Sequence, residues 1–197
     1  VWVDDDWSGY SNGDDCGTQN GTPLTFGYNA FADIQPGVDA VNNSTVNVAA
    51  GSYSAFNITD DDIQVIGKDG AIVDHDPIWE GGLIDHYLCG VLADNVLVQN
   101  IEFDGSALDD CNDSAAVFCP NTTGTTLSDL TIYDVNSTTC SSYMHAGIVV
   151  LGGFNTVDIV NPDISGCEIG VLVEDDTVNV SGGSIQGGGT GASYNST

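Results

Sequence analysis

From residue 44 onward, apolar and polar positions alternate in short bursts. Thr45-Val-Asn-Val sets Val46 and Val48 on one side, Asp62-Ile-Gln-Val does so with Ile63 and Val65, and Asn95-Val-Leu-Val with Val96 and Val98. Leu130-Thr-Ile, Val157-Asp-Ile and Val178-Asn-Val repeat the unit. A period of two is the mark of a strand with one buried face. A second burst precedes several of these, at Gly90-Val-Leu, Ala116-Val-Phe, Gly147-Ile-Val-Val and Gly170-Val-Leu-Val. A third follows, at Ile101-Glu-Phe-Asp-Gly, Ile164-Ser-Gly and Ile185-Gln-Gly. Repeats begin at 90, 116, 147, 170 and 191, in steps of 26, 31, 23 and 21.

Three short strands in an irregular repeat of this size predict an all-β solenoid of about six coils. At about 4.8 Å per coil the column is roughly 29 Å tall. The competing fold is an antiparallel sandwich. The leading helix, the in-phase triplets and the lack of Asn-Gly hairpin turns between these strands favour the solenoid. Ahead of the coils, Phe31, Ile34, Val38 and Val41 recur at helical spacing. They predict a capping helix over residues 31–43, kinked or starting late because Pro36 and Gly37 sit inside it. The expected organisation is one domain, 1–197. It has an N-terminal strand and loop at 1–30, coils over 44–190 and the start of an incomplete coil at 191–197.

The stretch Phe31-Ala-Asp-Ile-Gln, then Val38-Asp-Ala-Val, then Thr45-Val-Asn-Val-Ala-Ala-Gly-Ser-Tyr53 resembles the first coil of the pectate-lyase-like superfamily of right-handed parallel β-helix proteins. The opening Val3-Asp-Asp-Asp-Trp7-Ser-Gly is similar to secreted archaeal and bacterial members. The resemblance is specific over residues 1–70 and runs at repeat level up to 190. It implies the right-handed β-helix fold. It implies no single activity, because the superfamily spans lyases, hydrolases, epimerases, adhesins and surface proteins. Lyase members use an Arg or Lys base and carboxylate-held calcium. This chain has no arginine, and Lys68 sits in the turn Gly67-Lys-Asp-Gly70. Hydrolase members gather Asp with His, Arg and Lys, and no such set appears.

Charge narrows the reading. One Lys+Arg against 29 Asp+Glu gives a formal net charge of −28 over 197 residues. That excludes a nucleic-acid binder and argues against docking on anionic lipid. It also repels uronates. Aspartate outnumbers glutamate 25 to four, which suits turns rather than helices. An acidic chain with a single lysine fits a halophilic habitat, since the Debye length is about 3 Å at 1 M salt. Calcium binding and a low-pH habitat are the alternatives. No run reaches 18 consecutive apolar residues, so no membrane insertion is expected. The chain opens at Val1 and its single methionine is Met144. Removal of an initiator methionine and a secretion signal is therefore expected.

Asn-x-Ser/Thr occurs at Asn20, Asn42, Asn43, Asn57, Asn112, Asn121, Asn136, Asn179 and Asn195, nine of 16 asparagines. Chance predicts about 2.6. The excess points to N-glycosylation, and only one of the overlapping Asn42 and Asn43 is expected to carry a glycan. The six cysteines, Cys16, Cys89, Cys111, Cys119, Cys140 and Cys167, include no Cys-x-x-Cys pair. Three disulfides outside the cytosol are expected. Of the 15 pairings possible, Cys111–Cys119, Cys140–Cys167 and Cys16–Cys89 are preferred.

The acid pairs in Asp60-Asp-Asp62, Asp74-His-Asp76, Asp85-His86, Asp109-Asp110 and Asp175-Asp176 read mainly as solvated turns. His75, between two carboxylates, is the exception that could act as a base or ligand. No residue is assigned a catalytic role, and an enzyme is the less favoured reading. No cofactor is required. Calcium is the candidate ion, with Asp4, Asp5, Asp6, Asp60, Asp61 and Asp62 offering hard oxygens. The residues together suggest a secreted, N-glycosylated structural protein at the cell surface. It would self-assemble head-to-tail into an extracellular filament or surface layer, with itself and its covalent glycans as partners. The alternative is a carbohydrate-binding or carbohydrate-active β-helix with an aromatic groove drawn from Trp2, Trp7, Trp79, Tyr87, Tyr133 and Tyr143. A phage or host adhesin is a third possibility.

Overall fold

The computed structural model describes residues 1–80, 82, 84–108, 111–137, 143–187 and 193–195. Asp109, Asp110, Cys140 and most of the expected partial coil at 191–197 lie outside the described residues. The chain opens with β1 (Trp2–Val3), a 3-10 turn (Asp5–Trp7), an antiparallel hairpin of β2 (Asp15–Gln19) and β3 (Thr22–Thr25), then β4 (Ala30–Phe31). Helix α1 spans Ile34–Asp39, shorter than the 31–43 expected. It starts late because Asp33 caps it, accepting from Ile34 N at 2.8 Å. Pro36 is thereby left in the first turn, where a missing N–H costs nothing. Phe31 pairs with Val3 in a sheet instead. Gly37 lies so close to Val3 and Val46 that any larger residue would collide, which lets the helix rest directly on the sheet.

Six successive triplets of strands follow among the described residues. The first is β5 (Thr45–Val48), β6 (Gly51–Ser54) and β7 (Phe56–Ile58). The second is β8 (Gln64–Gly67), β9 (Ala71–His75) and, after a short β10 (Ile78–Trp79), β11 (His86–Val91). The third is β12 (Leu97–Gln99), β13 (Glu102–Asp104) and β14 (Ser114–Pro120). Then come β15 (Thr125–Ser128), β16 (Thr131–Tyr133) and β17 (His145–Leu151), followed by β18 (Thr156–Val160), β19 (Asp163–Cys167) and β20 (Ile169–Glu174). The last is β21 (Thr177–Ser181), β22 (Ser184–Gly187) and β23 (Ser193–Asn195).

Each triplet contributes its first strand to one sheet, its second to another and its third to a third, so the protein is all-β with parallel sheets. The first sheet runs β21-β18-β15-β12-β8-β5-β1-β4 and the second β22-β19-β16-β13-β9-β6. The third runs β11-β14-β17-β20-β23, with β7 and the antiparallel β10 sharing the free side of β11. Register repeats residue for residue, as in Val65, Val98, Leu127, Ile159 and Val180.

Alternation sends one side of every strand inward. Val46, Val48, Ile63, Val65, Val96, Val98, Leu130, Ile132, Val157 and Ile159 are buried, as their pattern requires. Val178 is half-buried and Val180 is 37% exposed, against the inward position their pattern assigns. The reason is position: β21 is the edge strand of its sheet. The third sheet differs from the others because both of its faces are buried. On its outer side Tyr87, Ala115, Phe118, Ala146, Val149 and Leu151 form a second apolar cluster with Ile84.

The corners explain the aspartate and asparagine content. Asn100, Asp129, Asn161 and Gly182 each follow a first-sheet strand, stack in one column and have φ near +50° to +70°. Asn, Asp and Gly tolerate that left-handed conformation best. Their side chains bond along the stack. Asn100 Nδ2 donates to Gly67 O (2.9 Å), and Asn161 Nδ2 donates to Asp129 Oδ1 (3.2 Å).

The cysteines correct the disulfide framework. Cys16, Cys89, Cys119 and Cys167 are free thiols, which overturns all three preferred pairings. Cys111 is disulfide-bonded. Cys89 and Cys119 both belong to the core cluster, but Cys89 pairs with Val117, two residues before Cys119. That offset sets their Cα atoms roughly 8 Å apart, beyond the reach of a bridge. Burial pushes the Cys119 thiol up to about 12 and Cys89 well above its ordinary value. Cys16 sits on the outer hairpin, away from core Cys89.

Candidate functional site

The outer side of the second sheet is polar, and its β6–β9 edge gathers the densest set of reactive groups. Register there slips. Tyr53 pairs with Val73, but Ser54 pairs with His75, so Asp74 is an extra residue in β9. In an unbroken strand Asp74 and His75 would point to opposite faces. A bulge re-aims side chains, and here both meet the serines of β6. His75 Nδ1 lies 2.6 Å from Asp74 Oδ1, and His75 Nε2 lies 3.2 Å from Ser54 Oγ. Ser52 Oγ donates to the same Asp74 oxygen at 2.7 Å. With Nδ1–H donating to Asp74, Nε2 is left with its lone pair towards Ser54. Burial works to raise the Asp74 pKa, but the hydrogen bonds from His75 and Ser52 outweigh it and hold the carboxyl below its ordinary value. Asp74 and His75 side chains are 31% and 46% exposed, so the group is open to solvent.

The 3-10 turn Asp5–Trp7 lies over this edge. Asp5 Oδ2 accepts from Ser52 N at 3.1 Å. Asp4, Asp5 and Asp6 are the one close carboxylate triplet among the described residues. Asp4 also caps the turn, accepting from Asp6 N at 3.2 Å. Burial, followed by the charges of Asp6 and Asp5, raises the Asp4 pKa. The triplet can offer hard oxygens to calcium. Asp60, Asp61 and Asp62 do not form such a set. Asp61 Oδ1 accepts from Asp94 N (2.9 Å), and Asp62 is a left-handed turn residue.

The other acid pairs serve the backbone. Asp176 Oδ1 accepts from both Phe154 N and Asn155 N at 2.8 Å. Asp14 Oδ2 accepts from Ser11 N, and Asp15 Oδ1 from Gly17 N. His145 is fully buried with Nδ1 2.7 Å from Ser114 Oγ. Of the proposed groove aromatics, Trp7 and Tyr87 are buried, Trp2 and Tyr133 half-buried, and only Trp79 and Tyr143 are exposed. A small groove of about 200 Å³ opens beside the second sheet, lined by Asp69, Asn100, Glu102, Asp129 and Thr131 among others.

Sequons sort by position. Asn20, Asn42, Asn43, Asn121 and Asn179 are exposed, while Asn57, Asn112 and Asn136 are half-buried. Asn57 Oδ1 is buried, and Asn136 Nδ2 donates to Gly166 O (2.8 Å), so a glycan at either must displace a contact. Asn195 lies in β23. None of the nine falls in a strand of the second sheet.

Sequence reading singled out His75 but missed Ser52 and Ser54. Laying Gly51-Ser-Tyr-Ser over Ala71-Ile-Val-Asp-His as consecutive repeats sets Ser54 opposite Asp74, and only the one-residue slip in β9 brings it to His75. No family model, curated protein or solved structure matches the chain.

Proposed function

We propose that the chain is a right-handed parallel β-helix of six coils, of the pectate-lyase-like kind. In this reading it is an N-glycosylated structural protein of the cell surface or extracellular space that assembles head-to-tail. The observation that carries the reading is the unbroken register of the first sheet. Every strand from β4 to β21 is parallel to its neighbour. A second copy displaced along the stack therefore meets the first copy's open β21 edge in the same sense with its β4 end, where Phe26 bridges β4 at Ala30. The partly open side chains of Val178 and Val180 lie at that edge. Unpaired sheet edges template further pairing, and a repeating head-to-tail contact gives a filament. The reading requires no cofactor. Electron microscopy and sedimentation in molar salt test it. Filaments or sheets repeating at the eight strand spacings of the first sheet, roughly 38 Å, are expected, and a strictly monomeric glycosylated protein overturns it.

A second reading has its own observation. The outer side of the second sheet lacks sequons and carries Ser52, Ser54, Asp74, His75, Glu102, Asp104 and Tyr133. That face suits a neutral carbohydrate, and binding to a panel of neutral and anionic glycans tests it.

A further inference from the structure

We propose that Ser54, His75 and Asp74 form an acyl-transfer site that hydrolyses short-chain esters, with Ser54 as nucleophile. The chain of contacts is Asp74 Oδ1 to His75 Nδ1 (2.6 Å) and His75 Nε2 to Ser54 Oγ (3.2 Å). A carboxylate orients the imidazole, and the imidazole faces a hydroxyl within proton-transfer distance. Asp74 and His75 share this face through the register slip in β9. Such slips cost pairing and occur next to working sites. Ser52 Oγ donates to the same Asp74 oxygen, at 2.7 Å.

The same edge supplies an oxyanion donor. Gly51 N donates to Gly70 O and Ala55 N to His75 O, so the N–H groups of alternate residues of β6 turn towards β9. Ser52 N turns the other way, to Asp5 Oδ2. By that alternation Ser54 N–H faces away from β9, on the side of the edge strand that the Asp5–Trp7 turn flanks at Ser52. A donor from the nucleophile's own backbone is where acyl-transfer sites place one.

The step balances. Ser54 Oγ bonds to the ester carbonyl carbon, and its proton passes to His75 Nε2. The carbonyl carbon–oxygen bond to the leaving group breaks, and His75 returns the proton to the departing alkoxide. Water then repeats the sequence, releasing a carboxylic acid and restoring Ser54. Asp5, Asp74 and the net charge of −28 disfavour anionic substrates. The open face favours a small acyl group, such as an acetyl ester on a neutral glycan.

The experiment uses the glycosylated chain, an ethyl fluorophosphonate and p-nitrophenyl acetate. Peptide mass mapping is expected to find the phosphonyl adduct on Ser54. Ser54→Ala and His75→Ala lower the ester rate about 100-fold or more to a common floor, and the double variant falls no further. Ser165→Ala, on the same face, stays within about twofold. Circular dichroism verifies that each variant is folded. An adduct confined to other residues, or an ester rate that folded Ser54→Ala leaves within twofold, overturns the proposal. Neither outcome depends on whether the protein forms filaments.

Discussion

The second and third sheets are built by the same ladder, one strand per triplet in matching register, yet their outer faces have opposite fates. On the second sheet the outward positions are Ser52, Ser54, Ile72, Asp74, His75, Glu102, Asp104, Thr131, Tyr133, Asp163 and Ser165, polar apart from Ile72 and all exposed or half-buried. On the third they are Tyr87, Ala115, Phe118, Ala146, Val149 and Leu151, all buried, with Ile169 and Leu172 of β20 half-buried against them. Inward positions are apolar in both. The outward row alone decides whether a sheet becomes a two-sided core layer or an open surface where chemistry can occur. Strands buried on both faces read as continuous apolar runs, and Ala115-Ala-Val-Phe-Cys119 and Ala146-Gly-Ile-Val-Val-Leu151 do so.

One substitution made on both faces should break that symmetry most strongly. Val149→Asn puts an unpartnered amide into the apolar cluster around Phe118 and is expected to cost about 3–5 kcal/mol. Ser165→Asn exchanges one polar group for another and should stay within about 0.5 kcal/mol. Urea denaturation of the two variants measures the gap. If they are equally stable, the outer side of the third sheet is not a packed layer.

The corners repeat the contrast on a smaller scale. Between the third and first sheets, Asn155 is 2% exposed and holds several backbone groups at once. It accepts from Thr122 N, donates to Leu151 O at 2.7 Å, and also reaches Asp176 Oδ2 at 2.8 Å. Asn155→Ala leaves Thr122 N–H and Leu151 C=O without those partners in a dry corner, an expected loss of about 2–3 kcal/mol. Thermal unfolding is the readout, and a shift of less than about 2 °C would show the corner to be wet.

How much of this was legible follows from the same contrast. Inward alternation is a local signal, so Val46, Val65, Val98 and Ile159 were placed correctly from their neighbours in sequence. The triplet order was legible because turns punctuate it. Three things were not, and each depends on register between distant segments. The preferred Cys16–Cys89 and Cys111–Cys119 pairings fail because the ladder buries Cys89 and Cys119 as free thiols in the core, two residues out of step. The meeting of Ser54 with His75 needs a slip of one residue that no propensity encodes. The closing of Asn57 against Gly90 and Tyr87 makes an apparent surface sequon an inner one. With four free thiols, the cysteines lose most of their weight as a sign of an oxidising compartment, and the extracellular reading rests on the exposed sequons.

The smallest expected effect lies at the open corner between the first and second sheets. Asp129 accepts from Ser128 Oγ (2.7 Å), Gln99 Nε2 (3.1 Å) and Asn161 Nδ2 (3.2 Å). These bonds, led by Ser128, hold its carboxyl below the ordinary aspartate value. A depressed pKa means that the folded state binds the ionised form better than the unfolded state does. The contribution is therefore fully present above the unfolded value, about 3.9, and is lost as pH falls through the lower folded one. Asp129→Asn keeps the left-handed turn, since asparagine tolerates that conformation, and removes the charge together with one of the two acceptor oxygens. The native protein should melt about 1 °C above Asp129→Asn near neutral pH, a small gap because the side chain is exposed. The gap should close below about pH 4 and shrink in molar salt. At the buried Asn155 corner, no comparable salt dependence is expected, because its bonds are screened from solvent. If salt erases the Asn155→Ala loss as well, the two corners are electrostatically alike, and the distinction between open and closed corners fails.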